Sequence, residues 1–313
     1  MLPDMTLSAP AVRRLGPADA DAMAALATAC EIAENGEPDP ELVDWIHLGA
    51  KREAFSAYGI DDADGLAAYS YADLEPGQAA LEIDVHVRPG LDLDLGQPLL
   101  RAAREAAAEY DATKPTHIMA NSTAPHICRW LEAQGAREIR HFWRMAIELT
   151  DTPPAVPEPP AGMTVRHARD EESDLRAVFE VTDTSFAEHF GHTDERTYER
   201  WIEHWRDRRG YDTSLWWVVE AEGQPVSVCL CIAFDESEPP NGHVGTLGTL
   251  REHRGKGIGS MLLKTAFAAF HSRGYRKVTL GVDSENSTGA VRLYEQVGMT
   301  AVNDWPLLEF PPL

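Results

Sequence analysis

The chain has 313 residues, of which 43% are hydrophobic and 25% charged, and it carries a formal net charge of −23. This composition is typical of a globular protein with a buried core, and the length suits two domains of about 150 residues each. The strong acidity excludes a typical nucleic-acid-binding protein. It favours a cationic small-molecule partner, or simply a well-solvated surface. With no signal peptide and no apolar run of about 18 residues, the sequence predicts a cytoplasmic protein without a membrane partner.

The cysteines predict neither a disulfide framework nor a metal site. The chain has only four of them, Cys30, Cys128, Cys229 and Cys231, and none forms a CxxC pair. Cys229 and Cys231 alternate within the apolar run VSVCLCIAF, so we expect both on one face of a strand. Core filling is the favoured interpretation of this pair, with reactive thiols as the alternative.

The chain reads as two similar halves joined by a proline-rich linker. Five prolines lie between Pro153 and Pro160, a density that forbids a helix or a central strand. Matching segments occur on both sides of the linker: Val12-Arg13 and Val165-Arg166, Asn121-Ser122-Thr123 and Asn286-Ser287-Thr288, and LEAQGA at 131–136 and YEQVGM at 294–299. We therefore predict a duplicated domain at 1–150 and 163–313, with the linker at 151–162.

The predicted elements of the second half follow one another as an antiparallel start and a later strand-helix-strand unit. In chain order they are a strand at 163–168, helices at 171–183 and 193–207, a hairpin of strands 214–222 and 226–234, a strand at 243–250, a helix at 259–274, a strand at 277–283 and a last helix at 287–299. This order predicts an α+β fold, in which each domain has a mixed central sheet flanked by helices.

The segment Arg254-Gly255-Lys256-Gly257-Ile258-Gly259-Ser260 lies between a predicted strand and a predicted helix. Glycines allow the backbone to approach a ligand closely, and the free amides and dipole of a helix N-terminus favour a phosphate. The basic side chains of Arg254 and Lys256 add charge-assisted contacts. A Rossmann loop would need an acidic residue about 20 positions on, and a Walker loop would end in Gly-Lys-Ser/Thr, so neither motif fits.

The pattern Arg-x-x-Gly-x-Gly between a strand and a helix resembles the coenzyme A pyrophosphate loop of the GNAT acetyltransferase superfamily, and the resemblance extends over roughly 163–300. It implies an acetyl-CoA-dependent N-acetyltransferase that needs no metal. It also implies a cofactor site made of Leu250, Arg254, Gly255, Lys256, Gly257, Ile258, Gly259, Ser260 and Asn286, with Asn286 on the pantetheine arm. Tyr294 occupies the place of the general acid near the thioester sulfur. The alternatives are a packed aromatic residue for Tyr294 and a helix N-cap for Asn286.

The base that accepts the proton of the attacking amine is less clearly marked in the sequence. His243 occupies the position where some members of the superfamily carry a glutamate, on the strand before the loop, and a histidine titrates in the useful range. Glu188, His189 and His192 compete for this role because their segment borders the acceptor site in the superfamily. Tyr198, Trp201, Ile202 and Trp205 form a helical stripe that predicts core packing, with Trp201 or Trp205 walling the acceptor pocket as the alternative.

The first half lacks the residues that this chemistry requires. In the segment 81–103 the place of Arg254 is taken by Leu91 or Asp92 and that of Gly257 by Asp94, and the place of Tyr294 is taken by Leu131. Carboxylates at these positions would repel a pyrophosphate. We therefore predict that 1–150 keeps the fold but neither catalyses nor binds coenzyme A in the usual manner.

The resulting hypothesis is an enzyme that moves acetyl directly from acetyl-CoA to a primary amine of a small polar metabolite or antibiotic, in a monomer or a homodimer. The tandem layout also resembles the mycothiol synthase family, whose acceptor is an aminoacylated pseudodisaccharide. A protein or peptide acetyltransferase and a non-catalytic coenzyme A sensor remain as alternatives.

Overall fold

A computed structural model describes residues 11–235, 240–286 and 288–313 of the chain. Within these residues the strands are β1 (Arg13–Leu15), β2 (Phe55–Asp62), β3 (Gly65–Asp73), β4 (Leu81–Val87), β5 (Thr116–Met119), β6 (Arg137–Glu148), β7 (Met163–His167), β8 (Trp216–Ala221), β9 (Gln224–Phe234), β10 (Asn241–Thr249), β11 (Lys277–Asp283) and β12 (Thr300–Phe310). The α-helices are α1 (Ala20–Asn35), α2 (Pro40–Gly49), α3 (Gln97–Asp111), α4 (Pro125–Ala133), α5 (Glu172–Phe186), α6 (Tyr198–Asp207), α7 (Ile258–Ser272) and α8 (Ala290–Gln296).

The described residues divide into two compact units. Unit 1 comprises 11–76, 80–139 and 307–313, and unit 2 comprises 77–79 and 140–306. No helix in the described part of the chain is both long and apolar enough to pass through a bilayer.

Unit 1 has a mixed sheet in the order β1-β2-β3-β4-β5-β12. All neighbouring strands are antiparallel except β4 and β5, which are parallel. Residues 307–310 of β12 pair with β5, and Leu308 and Phe310 are fully buried in a core that includes Leu81 and Ile118. The sheet of unit 1 is therefore completed by a segment far away in the sequence.

Unit 2 repeats this arrangement in the order β7-β8-β9-β10-β11-β6, again with a single parallel pair, β10 and β11. Residues 142–148 of β6 pair with the whole of β11, from Lys277 opposite Glu148 to Asp283 opposite Phe142. The shared strand order supports the predicted duplication and confirms the predicted fold class.

The units differ from the predicted domain boundaries at 77–79, at 140–150 and at 307–313, and the last two differences follow from strand pairing. The prediction assigns 137–148 to the first half and 300–310 to the second, whereas β6 pairs with β11 and the last residues of β12 pair with β5. Main-chain hydrogen bonds form between strands whatever their distance in the sequence. The first half therefore supplies β6 to the sheet of unit 2, and the second half supplies the end of β12 to the sheet of unit 1.

The remaining element predictions agree closely with the structure in the second half. The strand predicted at 277–283 has the observed bounds. The hairpin turn predicted at 223–225 lies slightly earlier, at Glu222 and Gly223, both with positive φ, and Gln224 and Pro225 already belong to β9. The helix predicted at 193–207 begins only at Tyr198, where Thr197 provides the N-cap. A strand at 300–310 is absent from the prediction.

The core of unit 2 confirms three predicted sets of buried residues. Cys229 and Cys231 are completely buried on β9, with their sulfur atoms 3.8 Å apart. The predicted apolar face of α7 is buried, and so is the aromatic stripe of α6. These residues are Met261, Leu262, Leu263, Ala266, Phe267 and Phe270 on α7, and Tyr198, Trp201, Ile202 and Trp205 on α6.

Candidate active site

A cleft of about 690 Å³ opens in unit 2 where β10 and β11 diverge. The two strands pair only through 241–243 and 277–279. Beyond this point both strands line the cleft, with Val244, Gly245 and 247–249 on one side and 280–283 on the other. Because the strands separate there, main-chain groups on their facing edges can bond an extended ligand rather than each other.

A β-bulge shapes the β10 wall of this cleft. Val244 pairs with Cys231 and Thr246 with Leu230, so Gly245 is the extra residue. A Cβ at Gly245 would lie 2.9 Å from Cη2 of Trp205, which packs behind the strand. Only glycine fits between this indole and the cleft, so Trp205 supports the backbone of the bulge. Trp201 and Trp205 are not among the described residues that line the cleft; they pack on Trp216, in agreement with the predicted core role.

The glycine-rich loop ends at the N-terminus of α7, as the sequence predicts. Gly257 is the N-cap and has a φ of +79°, which an L-residue with a side chain rarely adopts. No side chain caps this helix, so the amides of Ile258, Gly259 and Ser260 are not consumed by a cap. All three residues line the cleft, together with Gly255. The helix therefore directs free N–H groups and the positive end of its dipole toward the cleft.

Arg254 joins this loop to the end of α5. Its Nε donates to the carbonyl oxygen of Thr249 at 3.0 Å, and its Nη2 donates to the carbonyl oxygen of Ser185 at 3.1 Å. Its side chain is 30% exposed and lines the cleft. Two main-chain acceptors thus fix the guanidinium, and its Nη1 is loosely paired with Oε2 of Glu188 at 3.6 Å, a partner that an anion could replace.

Two predicted cofactor contacts lie outside the cleft lining. Lys256 is exposed, and Leu250 donates its backbone N–H to Val226 at 2.9 Å while packing against the core of unit 2. Neither belongs to the described residues that line the cleft. Lys256 stands between Gly255 and Gly257, which do line the cleft.

Asn286 lines the opposite side of the cleft, on the loop that follows β11. Its Oδ1 accepts the backbone N–H of Thr288 at 2.8 Å, which forms an Asx turn. The N-cap of α8 is Gly289 rather than Asn286, so the alternative role as a helix cap is wrong. In unit 1 the Oδ1 of Asn121 accepts the backbone N–H of Thr123 at 3.0 Å, the same turn at the matching triplet.

Tyr294 projects from α8 and lines the cleft, and only 8% of the residue is exposed. Burial raises the pKa of this phenol above its usual value. The hydroxyl is therefore protonated throughout the physiological range and can donate a proton or a hydrogen bond.

His243 does not reach the cleft. It lies on the part of β10 that still pairs with β11, is 4% exposed, and its Nδ1 forms a 3.0 Å hydrogen bond with Oγ1 of Thr279. The cleft begins only at the next residue, Val244, where the strands part. The prediction of His243 as the base is therefore not supported by its position.

The segment after α5 brings one of the three competing residues to the cleft. His189 lines it, whereas Glu188 and His192 are not among the described lining residues. The Oε1 of Glu188 accepts from Arg251 at 3.0 Å, and its Oε2 lies 3.6 Å from Arg254. Glu188 thus pairs with the basic side chains beside the glycine-rich loop.

The sequence does not single out several other lining residues. Phe142 on β6, Ser185 and Phe186 at the end of α5, Phe190, and Asp283 on β11 also face the cleft. Phe142 lies before the proline-rich linker and so falls in the half predicted to be non-catalytic. The alternation of polar and apolar residues over 137–148 could have predicted a strand, but not that this strand pairs with β11. Asp283 accepts a hydrogen bond from Arg140 at 3.0 Å, so its carboxylate already has a cationic partner.

The corresponding loop of unit 1 carries carboxylates with partners of their own. The Oδ1 of Asp92 accepts the backbone N–H of Asp94 at 3.0 Å, and the Oδ1 of Asp94 accepts from Nε1 of Trp130 at 3.0 Å. Leu131 is buried at the place that corresponds to Tyr294. Thus carboxylates occupy the loop of unit 1 where unit 2 has glycines and basic side chains.

The chain is similar in sequence and structure to known acetyltransferases. The model of the GNAT acetyltransferase family matches residues 175–299. A mycothiol acetyltransferase from Thermobispora bispora is 32% identical over 297 residues, which cover 91% of this chain and 93% of that protein. A GCN5-related N-acetyltransferase from Sphaerobacter thermophilus, of known crystal structure, has a TM-score of 0.78 at 31% identity and covers 99% of this chain and 97% of its own.

A second solved structure supports the tandem architecture. A tandem GNAT protein from the clavulanic acid biosynthesis pathway has a TM-score of 0.73, with 97% of this chain and 98% of that chain covered. Its identity of 15% restricts the comparison to the fold.

Proposed function

The chain belongs to the GNAT family of acetyltransferases, and on this premise we propose that unit 2 transfers acetyl from acetyl-CoA directly to a primary amine of a small polar molecule. The observation that carries the proposal is the cleft between β10 and β11. One of its ends has the free amides of α7 beside Arg254, and its wall contains a buried tyrosine.

The cofactor would bind along the cleft, with its pyrophosphate at the α7 N-terminus. The amides of Ile258, Gly259 and Ser260 and the guanidinium of Arg254 suit a doubly charged group. The volume of about 690 Å³ lies within the range of small-molecule sites. Asn286, across the cleft, is suited to contact the pantetheine amides.

The wall formed by β10 would activate the thioester. The backbone of Gly245 is released from regular pairing by the bulge, so its N–H is a suitable donor to the thioester carbonyl. Trp205 packs behind it and limits movement of this donor. A fixed amide dipole stabilises the negative charge that develops on the carbonyl oxygen during attack.

Tyr294 would protonate the departing thiolate. Because burial keeps its phenol protonated, the proton is present when the carbon–sulfur bond breaks. Among the described residues that line the cleft there is no cysteine, and the nearby Cys229 and Cys231 are completely buried. A direct transfer without an acyl-cysteine intermediate therefore suits the arrangement.

The acceptor that we propose first is the amine of an aminoacylated pseudodisaccharide, because the relative from Thermobispora bispora is a mycothiol acetyltransferase that matches over nearly the whole chain. The net charge of −23 would attract a cationic amine of this kind.

We further propose that unit 1 does not bind acetyl-CoA. Asp92 and Asp94 occupy its loop, and Asp94 is held by Trp130 where a pyrophosphate would need donors. Its role would then be structural, and each chain would have a single cofactor site.

The test combines binding stoichiometry with turnover. Calorimetry with acetyl-CoA should give one site per chain. Release of the CoA thiol should depend on an added amine, measured with glucosamine, cysteinyl-glucosamine conjugates, lysine and putrescine. Binding without turnover on any amine would favour the sensor instead, and two equivalent sites would contradict the proposal for unit 1.

A further inference from the structure

We infer that His189 is the group that accepts the proton of the attacking amine. The inference rests on the proposed acetyl transfer and assigns a role in it that His243 is not positioned to fill.

The position of His189 is fixed by short-range contacts at the end of α5. Its backbone N–H donates to the carbonyl oxygen of Phe186 at 2.9 Å, and its ring packs on the ring of Phe186 with 4.3 Å between centroids. Both residues line the cleft. The imidazole therefore belongs to the cleft wall rather than to a freely moving surface loop.

The same segment is connected to the cofactor loop. Arg254 donates to the carbonyl oxygen of Ser185 at 3.1 Å, and Arg251 donates to Glu188 at 3.0 Å. These contacts lie on both sides of Phe186 in the chain. Arg254, which we propose as a pyrophosphate contact, thus also binds the segment that carries His189. This shared contact would fix the position of the base relative to the thioester.

The surroundings of His189 keep its imidazole neutral. Partial burial lowers the pKa of His189, and the positive charge of Arg254 and the neighbouring His192 lower it further, whereas Asp283 and Glu188 oppose this shift. The balance places the pKa below the ordinary histidine value. At neutral pH the ring therefore has a free lone pair and can act as a base.

His243 and His253 are less suited to this role. His243 is buried and bonded to Thr279, away from the cleft. His253 lines the cleft but immediately precedes Arg254 in the cofactor loop, at the end where the pyrophosphate would lie. Of the three, His189 is the one that lies in the wall outside the cofactor loop.

The proton balance of the reaction follows from these positions. The amine nitrogen forms a bond to the thioester carbon, and its excess proton passes to His189, directly or through one water. The carbon–sulfur bond then breaks, and the thiolate takes a proton from Tyr294. Transfer of the proton from His189 back to the tyrosinate through solvent restores both groups, so an amine and acetyl-CoA give an amide and CoA.

The test compares His189→Gln with two matched variants, His192→Gln from the same segment and His243→Gln from β10. The pH dependence of kcat/KM is measured with whichever amine of the panel is turned over, and the Kd for acetyl-CoA is measured by calorimetry. We expect His189→Gln to lose about 10²- to 10⁴-fold in kcat/KM near pH 8 and to lose the acidic limb of the profile, with the Kd unchanged within about threefold. Both control variants should retain that limb.

A second variant separates a chemical role from a structural one. His189→Ala leaves space for a small base, so added imidazole should restore part of its rate, and it should not accelerate the wild type. If His189→Gln keeps its activity and acidic limb while wild type turns over, or if the limb disappears in His243→Gln instead, the inference is wrong. If wild type binds acetyl-CoA but acetylates no amine, the proposed function fails and the inference fails with it.

Discussion

Replacement of Tyr294 by phenylalanine tests the proposed acid with little disturbance of the fold. The ring is 8% exposed on α8, and phenylalanine keeps its volume and its packing while removing the hydroxyl. If the phenol protonates the leaving thiolate, kcat should fall about 10²- to 10⁴-fold, which corresponds to about 3–5 kcal/mol of transition-state stabilisation.

The raised pKa of Tyr294 adds a pH signature to this test. Because burial favours the protonated phenol, the wild-type rate should not decline between about pH 7 and pH 10 through loss of this proton. CoA release is followed with a thiol reagent at saturating acetyl-CoA. The Kd for acetyl-CoA and the melting temperature should change little in Tyr294→Phe.

Tyr198→Phe is the matched control. Tyr198 is also 8% exposed and belongs to unit 2, but it lies on α6 and is not among the described residues that line the cleft. It should keep wild-type kcat within about twofold. Equal losses in both variants, or a Tyr294→Phe enzyme within about threefold of wild type, would refute the role of the phenol as acid.

Three further outcomes follow from contacts in the structure. Arg254→Ala should weaken acetyl-CoA binding about 10- to 100-fold by calorimetry, and Arg254→Lys, which retains the charge but not the two fixed main-chain bonds, should fall between it and wild type. Glu188→Gln should tighten binding about two- to fivefold at low salt, an effect that disappears at high salt, because the carboxylate lies 3.6 Å from Arg254 and competes with the pyrophosphate for this guanidinium. Burial raises the pKa of Glu31 from 4.5 to about 7. The stability that the protonated side chain gives the folded state is therefore fully present below about pH 4.5 and is lost as the pH rises through about 7. Glu31→Gln should therefore raise the melting temperature at pH 8 and leave it unchanged near pH 4.5; an equal shift at both values would contradict this reasoning.

The local chemistry of the site could be predicted from the sequence because it depends on short-range rules. A glycine at the start of an amphipathic helix, flanked by basic residues, identifies the loop that ends at Gly257. Comparison of the two halves aligns Asn286 with Asn121, which forms the same turn, and Tyr294 with Leu131, which cannot donate a proton. These features depend on backbone conformation within a few residues, which the amino acids themselves determine.

The rest of the site depends on long-range pairing that a local pattern does not encode. Whether His243 reaches the cleft is decided by the residue at which β10 and β11 separate, one position later. Phe142 joins the cleft only because β6 pairs with β11. Strand β12 is not predicted because Pro306 interrupts its alternation of polar and apolar residues. Only the residues after this proline pair with β5.

The pairing of residues 307–310 with β5 also constrains how the protein can be made and divided. Leu308 and Phe310 fill the core of unit 1, so that core stays open during synthesis until residue 310 has been added. A fragment cut at the proline-rich linker would expose the edge of β5 together with the apolar surface that these two side chains cover. Expression of either half alone would therefore yield an aggregation-prone fragment, and the linker that separates the halves in sequence is the wrong place to divide the protein.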